Sequence, residues 1–257
     1  MFTHALHRPP AFPHLWLLWF GAAQVLLALL WWRVGWLAMV PVWWLSHGLV
    51  LWGTFRPGSR VLGPVLTRLP TQERVVWLTI DDGPSADTAA ILELLDAHGA
   101  KATFFLVGER AAAHRALVRE IARRGHGIGN HSMSHPAAWF WALGPSRMRH
   151  EVERCQRTLA DITGRPPRWF RAVVGMANPF VSAALKRQGL TRVAWSARGY
   201  DGVAADAEQV VARIERDLAP GAIVLMHEGA PHGQNVIMLE RLLQQLALHG
   251  YRTVLPQ

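Results

Sequence analysis

The acidic residues of this 257-residue chain are confined to one part of it, and this constrains the fold more than any other feature. All 18 acidic residues lie at or after Glu73, whereas the first 72 residues contain five arginines and no acid. Within that region, two apolar stretches run over residues 15–32 and 34–53. Each is long enough to cross roughly 30 Å of hydrocarbon as a helix. The sequence therefore predicts two regions that fold in different solvents.

A retained membrane anchor is the favoured interpretation of residues 15–53. A signal peptide would end at a small-residue cleavage site, but the apolar sequence continues past Gly21-Ala22-Ala23. Two spans would form a hairpin with only Arg33 in its connection, and the positive-inside rule then places both ends in the cytoplasm. The alternative is that one span crosses while the other lies in the interface, which would put the rest of the chain on the opposite face. The favoured topology predicts a multi-pass protein of the inner (cytoplasmic) membrane.

The remainder of the chain alternates strand and helix patterns. We predict an N-terminal tail at 1–14, the anchor at 15–53, a linker at 54–72 and a folded domain at 73–257. In that domain the predicted strands are 75–80, 102–107, 127–130, 169–173, 192–196, 222–226 and 252–255, and the predicted helices are 88–95, 117–124, 147–162, 181–188, 207–218 and 236–248. About seven such units predict an α/β fold in which a parallel sheet closes into an irregular β/α barrel.

Polar and charged residues follow the predicted strands. In β/α barrels the chemistry gathers at the carboxyl ends of the strands, so residues at these positions are candidates for catalysis. They are Asp81, Asp82, His131, Arg171, Asp201 and His227.

The residues around His131 predict a metal site. His131 and His135 are four residues apart after one strand, and the Asp81-Asp82 pair follows another. Two histidines and one carboxylate leave coordination positions open for water and substrate, and such ligands suit Zn, Co, Mn or Fe more than Ca. Cys155 is the only cysteine, so a Cys-based zinc site is excluded. Only one of two neighbouring aspartates can readily face the metal, which leaves the other free to act as a base.

Each of these residues also has a structural interpretation. An Asp-Asp pair after a strand often forms a turn or caps a helix. Arg171 could be a surface charge. The arginines of helix 147–157 are interpreted as a solvated face that alternates with acidic residues such as Glu151. The net charge of +9 does not require nucleic acid as a partner, because five of the excess positive charges lie in the first 72 residues, which contain the apolar stretches.

Five segments resemble, in order, the five motifs of the polysaccharide deacetylases (carbohydrate esterase family 4). The resemblance covers residues 75–255, and its strongest parts are Thr-Ile-Asp-Asp-Gly-Pro-Ser at 79–85 and His-Ser-Met-Ser-His-Pro at 131–136. The others are Phe170-Arg171 with Gly175 and Asn178, the stretch 195–201, and Leu-Met-His at 225–227. The resemblance implies a distorted (β/α)7 barrel that hydrolyses N-linked or O-linked acyl groups on sugars. The reaction would use a divalent metal, for which Zn is preferred over Co, Mn or Fe.

Carried over residue by residue, the resemblance implies a division of roles. Asp81 would be the general base, and Arg171 would hold it ionised and oriented. The metal ligands would be Asp82, His131 and His135.

The remaining implied roles concern the leaving group and the substrate. His227 would be the general acid, and Asp201 would stabilise its imidazolium form. The backbone N–H of Val174 would bind the oxyanion beside the metal, with Gly175 next to it in the groove. Leu225 would wall the pocket for the acyl methyl.

Three motifs depart from the family pattern, and the fifth does so only in ending His227-Glu228 where His-Asp is more usual. The third usually has Arg-Pro-Pro, an aromatic residue and Gly, whereas this chain has Arg171-Ala-Val-Val-Gly175. In the fourth, the first Asp of Asp-x-x-Asp-Trp is replaced by Arg198, and the Trp by Gly202. These changes bear on the sugar and acyl preference.

The sequence leads to one principal function and two alternatives. The principal one is removal of an N-acyl group, acetyl or formyl, from an amino sugar carried on a lipid or glycolipid, with glycosyltransferases of the same pathway as partners. The first alternative is a peptidoglycan or exopolysaccharide deacetylase that faces the periplasm. The second is a non-catalytic barrel subunit of a glycan-assembly complex.

Overall fold

The chain begins with a helical hairpin. The computed structural model describes residues 6–256, so residues 1–5 of the predicted tail and residue 257 lie outside the described part. Helix α1 spans Leu15–Arg33 and α2 spans Trp36–Phe55, and the two helices pack against each other. By length and composition both could cross a membrane, and few of their residues are buried within the protein. Arg33 ends α1 and does not lie in the connection.

Eight strands form one parallel sheet in the second region. They are β1 (Val75–Gly83), β2 (Ala102–Leu106), β3 (Gly127–Asn130), β4 (Trp169–Phe170), β5 (Thr191–Arg192), β6 (Ala197–Arg198), β7 (Ala222–His227) and β8 (Arg252–Thr253). Their order is β5-β4-β3-β2-β1-β7-β6, and β8 pairs with β1. Seven helices cover the sheet: α3 (Thr88–Ala97), α4 (Gly108–Ala113), α5 (Arg115–Arg123), α6 (Pro145–Thr163), α7 (Val181–Gln188), α8 (Ala207–Arg216) and α9 (Asn235–Leu248). The predicted distorted (β/α)7 barrel is confirmed.

Three details of the predicted elements are wrong. Helix α4 was not predicted, because six residues are too few to show a helical period. The strand predicted at 169–173 ends at Phe170, since Val173–Gly175 form a 3₁₀ turn. The strand predicted at 192–196 is replaced by two short strands, β5 and β6, at opposite edges of the sheet.

Strand β1 separates the two cores of the domain. Its residues alternate between the two faces of the sheet. Val76, Leu78 and Ile80 pack against the covering helices, whereas Trp77 packs inside the barrel. The same alternation directs Asp81 to the inside, at the carboxyl end of the strand.

The segment predicted as a linker completes the barrel. Leu66 bridges Val193 beyond the edge strand β5, and Arg68 bridges Ala222 of β7, so the segment links one edge of the sheet to β7 near the other edge. Leu69 is buried in the inner core with Trp77. The barrel is therefore closed by residues that precede β1, and the hairpin is joined directly to the core.

Candidate active site

The candidate catalytic residues converge at the carboxyl end of the sheet. A cavity of about 200 Å³ opens there. It is lined by Asp81, Asp82, His131, His135, Val174, Gly175, Trp195, Arg198, Tyr200, Gly202, Val203, Leu225 and His227. Arg171 and Asp201 are fully buried behind this surface.

The backbone around the cavity is strained. Among the described residues, those with positive φ other than glycine lie at the carboxyl end of β1 or in the segments that follow β3, β4 and β6: Asp82, Ser132, His135, Val174 and Tyr200. Val174 has φ of 52°, which is unfavourable for a β-branched side chain. Such strain persists only where surrounding contacts impose it, and it is typical of functional sites.

Three side chains are arranged to hold a metal ion. His135 Nε2 lies 3.0 Å from Asp82 Oδ1, and His131 Nε2 lies 3.4 Å from the same oxygen. One ligand atom from each residue falls within 4.8 Å of the others. The two nitrogens and the oxygen therefore face one small volume.

The hydrogen bonding of this cluster fits a cation. His131 Nδ1 lies 2.9 Å from the carbonyl oxygen of Arg171, which can only accept, so Nδ1 carries a hydrogen and Nε2 is the nitrogen that faces Asp82. Asp82 Oδ1 is buried and has no hydrogen-bond partner among residues 6–256. Burial raises the pKa of Asp82, but the facing histidines lower it by more, to well below its usual range. A carboxylate between two imidazole nitrogens is a suitable donor set for a divalent ion.

Asp81 is held by a buried ion pair. Its Oδ1 accepts a hydrogen bond of 2.8 Å from Arg171, whose same nitrogen donates to Thr79 Oγ1 at 2.7 Å. Its Oδ2 lies 3.8 Å from His131 Nε2, so the free oxygen faces the metal cluster. This carboxylate can accept a proton from a water bound there.

His227 and Asp201 form a second pair on the opposite wall. His227 Nδ1 lies 2.9 Å from Asp201 Oδ1, while the backbone N–H of His227 donates to Oδ2 at 2.5 Å. Burial lowers the pKa of His227, but the charge and hydrogen bond of Asp201 raise it by more, to about 9. At neutral pH the imidazole is therefore protonated and can donate a proton.

The three residues assigned to the substrate line the same cavity. Val174 is exposed in the 3₁₀ turn, and Leu225 is buried in β7. Gly175 has φ of 75°, and a Cβ there would collide with Pro57 and Trp195. The first residues after α2 thus reach the edge of the cavity.

Glu151 was misinterpreted from the sequence. It is fully buried, and its carboxylate accepts hydrogen bonds from the backbone N–H groups of Met133 and Ser134 and from the Ser134 hydroxyl. It therefore fixes the loop between His131 and His135. The charged pattern of α6 concealed this role, and no feature of the sequence marks Glu151 as buried.

Glu228 is a second buried acid that supports the site. Burial raises its pKa, and its carboxylate accepts hydrogen bonds from Ser85 and Thr88. It thereby connects the end of β7 to the loop that follows β1.

The cavity brings together a cluster that could hold a metal ion, a buried carboxylate and a protonated imidazole. A profile of the polysaccharide deacetylase family matches residues 68–193. A chitooligosaccharide deacetylase of Bradyrhizobium is 34% identical over 63% of this chain and 74% of its own length. A peptidoglycan-N-acetylglucosamine deacetylase of Bacillus cereus is 32% identical over 75% of this chain and 91% of its own length. The chain belongs to the polysaccharide deacetylase family.

The solved structures agree with this assignment. A family 4 carbohydrate esterase from Streptomyces lividans, in complex with acetate, superposes with a TM-score of 0.65. It is 32% identical, and the match covers 72% of this chain and 94% of the esterase. The protein is therefore a carbohydrate deacetylase of a metal-dependent family.

The first prediction concerns the metal ligands. Replacing His131 or His135 with alanine removes one of three ligands, and we expect each variant to lose the bound divalent metal and activity together. Elemental analysis of folded protein measures the loss. His150, on the exposed face of α6, provides the matched control, and His150→Ala should retain the metal. Equal metal content in all four proteins would contradict the assignment.

The second prediction concerns pH. Because Asp201 raises the pKa of His227, Asp201→Asn should let the imidazolium deprotonate at lower pH. The alkaline limb of the kcat/KM profile should then move to lower pH, with metal content unchanged. Asp206→Asn, at the exposed N-cap of α8, is the matched control and should leave the profile in place. An alkaline limb that does not move in Asp201→Asn would exclude Asp201 as the support of His227.

Proposed function

We propose that the protein is a membrane-anchored N-deacylase whose substrate is an amino sugar carried on a lipid. Residues 15–53 would be the anchor and residues 73–257 the catalytic domain. The observation that carries the proposal is the contact between the base of the hairpin and the edge of the catalytic cavity.

Both ends of the hairpin contact the segment that follows β4. The carbonyl oxygen of Thr54 accepts a hydrogen bond of 3.0 Å from the backbone N–H of Ala177, two residues after Gly175. At the other end, the rings of Trp16 and Phe180 lie 5.7 Å apart. The cavity is therefore next to the hairpin base and not at the far side of the domain.

Apolar side chains continue from this base around the cavity. Phe55, the last residue of α2, lies 5.7 Å from the ring of Trp141. Trp139 is 67% exposed, Val203 is 83% exposed, and Val174 is also exposed. An apolar edge beside two membrane-spanning helices supports a cavity that opens at the membrane surface. Anchoring raises the effective concentration of a substrate in the same membrane but not that of a soluble oligosaccharide.

The residues of the cavity suit hydrolysis of an amide. Asp82, His131 and His135 would hold a divalent ion, Zn being favoured, which when bound polarises the acyl oxygen and acidifies water. Asp81, oriented by Arg171, accepts the proton of the attacking water. The Val174 N–H stabilises the negative charge that develops on the acyl oxygen.

His227 acts on the leaving group. It donates a proton to the amine nitrogen as the C–N bond breaks, and Asp201 stabilises its protonated form. Leu225 and the small volume of the cavity favour a short acyl group, acetyl or formyl.

The third prediction tests orientation. One arginine lies at the end of α1, whereas residues 6–14 and 54–72 contain four. By the positive-inside rule, this asymmetry supports a topology in which both ends of the hairpin, and the deacylase, lie on the cytoplasmic side. A reporter active only in the periplasm should be silent when fused at Gln257. The same reporter fused after Val34 provides the control and should be active. Strong signal at Gln257 would overturn this orientation.

A polymer substrate is the second candidate. Two relatives support it, because they are a chitooligosaccharide deacetylase and a peptidoglycan-N-acetylglucosamine deacetylase. It requires the catalytic domain to face the periplasm. In the lipid-linked case, glycosyltransferases that make or use the same sugar would be partners.

The fourth prediction tests the function itself. Full-length protein in detergent, loaded with Zn, should release acyl groups from lipid-linked N-acyl amino sugars with higher kcat/KM than from chitooligosaccharides or peptidoglycan. Asp81→Asn should reduce turnover about 10²- to 10⁴-fold while the metal stays bound. Activity on the polymers alone would support the second candidate. Absence of activity on every substrate would support a non-catalytic subunit.

A further inference from the structure

Arg198 is a charged residue of the cavity that the proposed reaction does not use. It lies at the end of β6, where its Cα is paired with that of Leu225 in β7. Laterally paired residues of a parallel sheet point to the same face, and the side chains of both line the cavity. Arg198 therefore reaches the same space as the metal cluster.

Two carboxylates at the cavity have ion-pair partners, whereas Arg198 has none among the described residues. Asp81 is paired with Arg171, and Asp201 with His227. No ion pair among residues 6–256 involves Arg198, and its Nε is buried without a hydrogen-bond partner there. A half-buried guanidinium without a partner favours an anion, because an unsatisfied donor in a partly dry site costs free energy.

Two aromatic rings hold the guanidinium in place. Its Cζ lies 3.7 Å from the ring centroid of Tyr200 and 5.3 Å from that of Trp195. The Cζ of Arg213 lies 5.9 Å from the centroid of the Tyr200 ring, so a second positive charge is close by. Cation–π contacts position the guanidinium without neutralising its charge, which leaves its N–H groups available to a ligand.

Arg198 is also on the hairpin side of the cavity. Trp195 contacts Gly175, and Gly175 contacts Pro57, two residues after the end of α2. A group bound by Arg198 would therefore lie between the metal cluster and the base of the hairpin. In a lipid-linked sugar, the phosphoryl group occupies the corresponding position between sugar and lipid.

We propose that Arg198 forms a subsite for the phosphoryl group attached to the amino sugar. This inference rests on the proposed function and names its substrate class as a phosphate-linked amino sugar. The guanidinium would donate two hydrogen bonds to phosphoryl oxygens, while the acyl group faces the metal cluster. Arg198 would thus be a specificity-determining residue and take no part in proton transfer.

The test compares two deacylated products, which the enzyme cannot consume. Binding of glucosamine 1-phosphate and of glucosamine to the metal-loaded, full-length protein in detergent is measured by calorimetry. We expect the wild type to bind the phosphate ligand more tightly. Arg198→Ala should weaken that binding about 10- to 100-fold and leave glucosamine binding unchanged. Arg198→Lys should retain part of the effect, since it keeps the charge but loses the planar geometry.

The control removes a charge elsewhere. Arg157→Ala, on the exposed face of α6, should bind both ligands as the wild type does. Equal weakening of both ligands in Arg198→Ala would overturn the proposal, because Arg198 would then only shape the cavity. A wild type that does not prefer the phosphate would also overturn it, as would a stronger preference for muramic acid, whose anion is a carboxylate.

The two proposals can fail separately. If Arg198→Ala leaves phosphate binding intact while the wild type deacylates lipid-linked sugars, the subsite is wrong and the proposed function stands. If the phosphate binds through Arg198 but no lipid-linked substrate is hydrolysed, the proposed function is wrong and the anion subsite remains.

Discussion

The buried guanidinium of Arg171 connects the parts on which the site depends. It donates to Asp81 and Thr79 of β1 and to the carbonyl oxygen of Ala194, and its Cζ lies 4.3 Å from the ring of Phe105 in β2. Its own carbonyl oxygen faces Nδ1 of His131. Removing one partner of a buried ion pair typically costs about 3–5 kcal/mol because the other charge is left unpaired. Arg171 therefore sets both the position of the Asp81 carboxylate and the orientation of the His131 ring.

The hairpin and the catalytic domain share structure. Residues 66–69 close the barrel between β5 and β7, and Pro57 contacts Gly175 at the edge of the cavity. An anchor joined by a flexible tether would leave the orientation of the cavity undetermined. Here the chain between α2 and β1 contributes to the inner core, so the position of helices α1 and α2 relative to the cavity is set by packing. In the function proposed above, this packing would direct the cavity toward a substrate at the membrane surface.

The chemistry-bearing residues could be found from the sequence because each follows a strand pattern. Asp81, Asp82 and His131 come at the ends of β1 and β3, and parallel strands bring those ends to one edge. Glu151 could not be found, because an acid on a charged helix gives no sign that it turns inward. The short strands β4, β5 and β6 were also misjudged, since two residues carry no periodicity.

The sequence by itself determined the apolar spans, the order of strands and helices, and the residue types available for a metal, a base and an acid. These are local properties, which the periodicity and composition of the sequence indicate directly. Only the tertiary structure decided that Leu66 closes the barrel, that Gly175 meets Pro57 and that Arg198 has no counter-charge among the described residues. Each of these depends on residues far apart in the chain, whose contacts follow from packing in three dimensions and leave no pattern in the sequence.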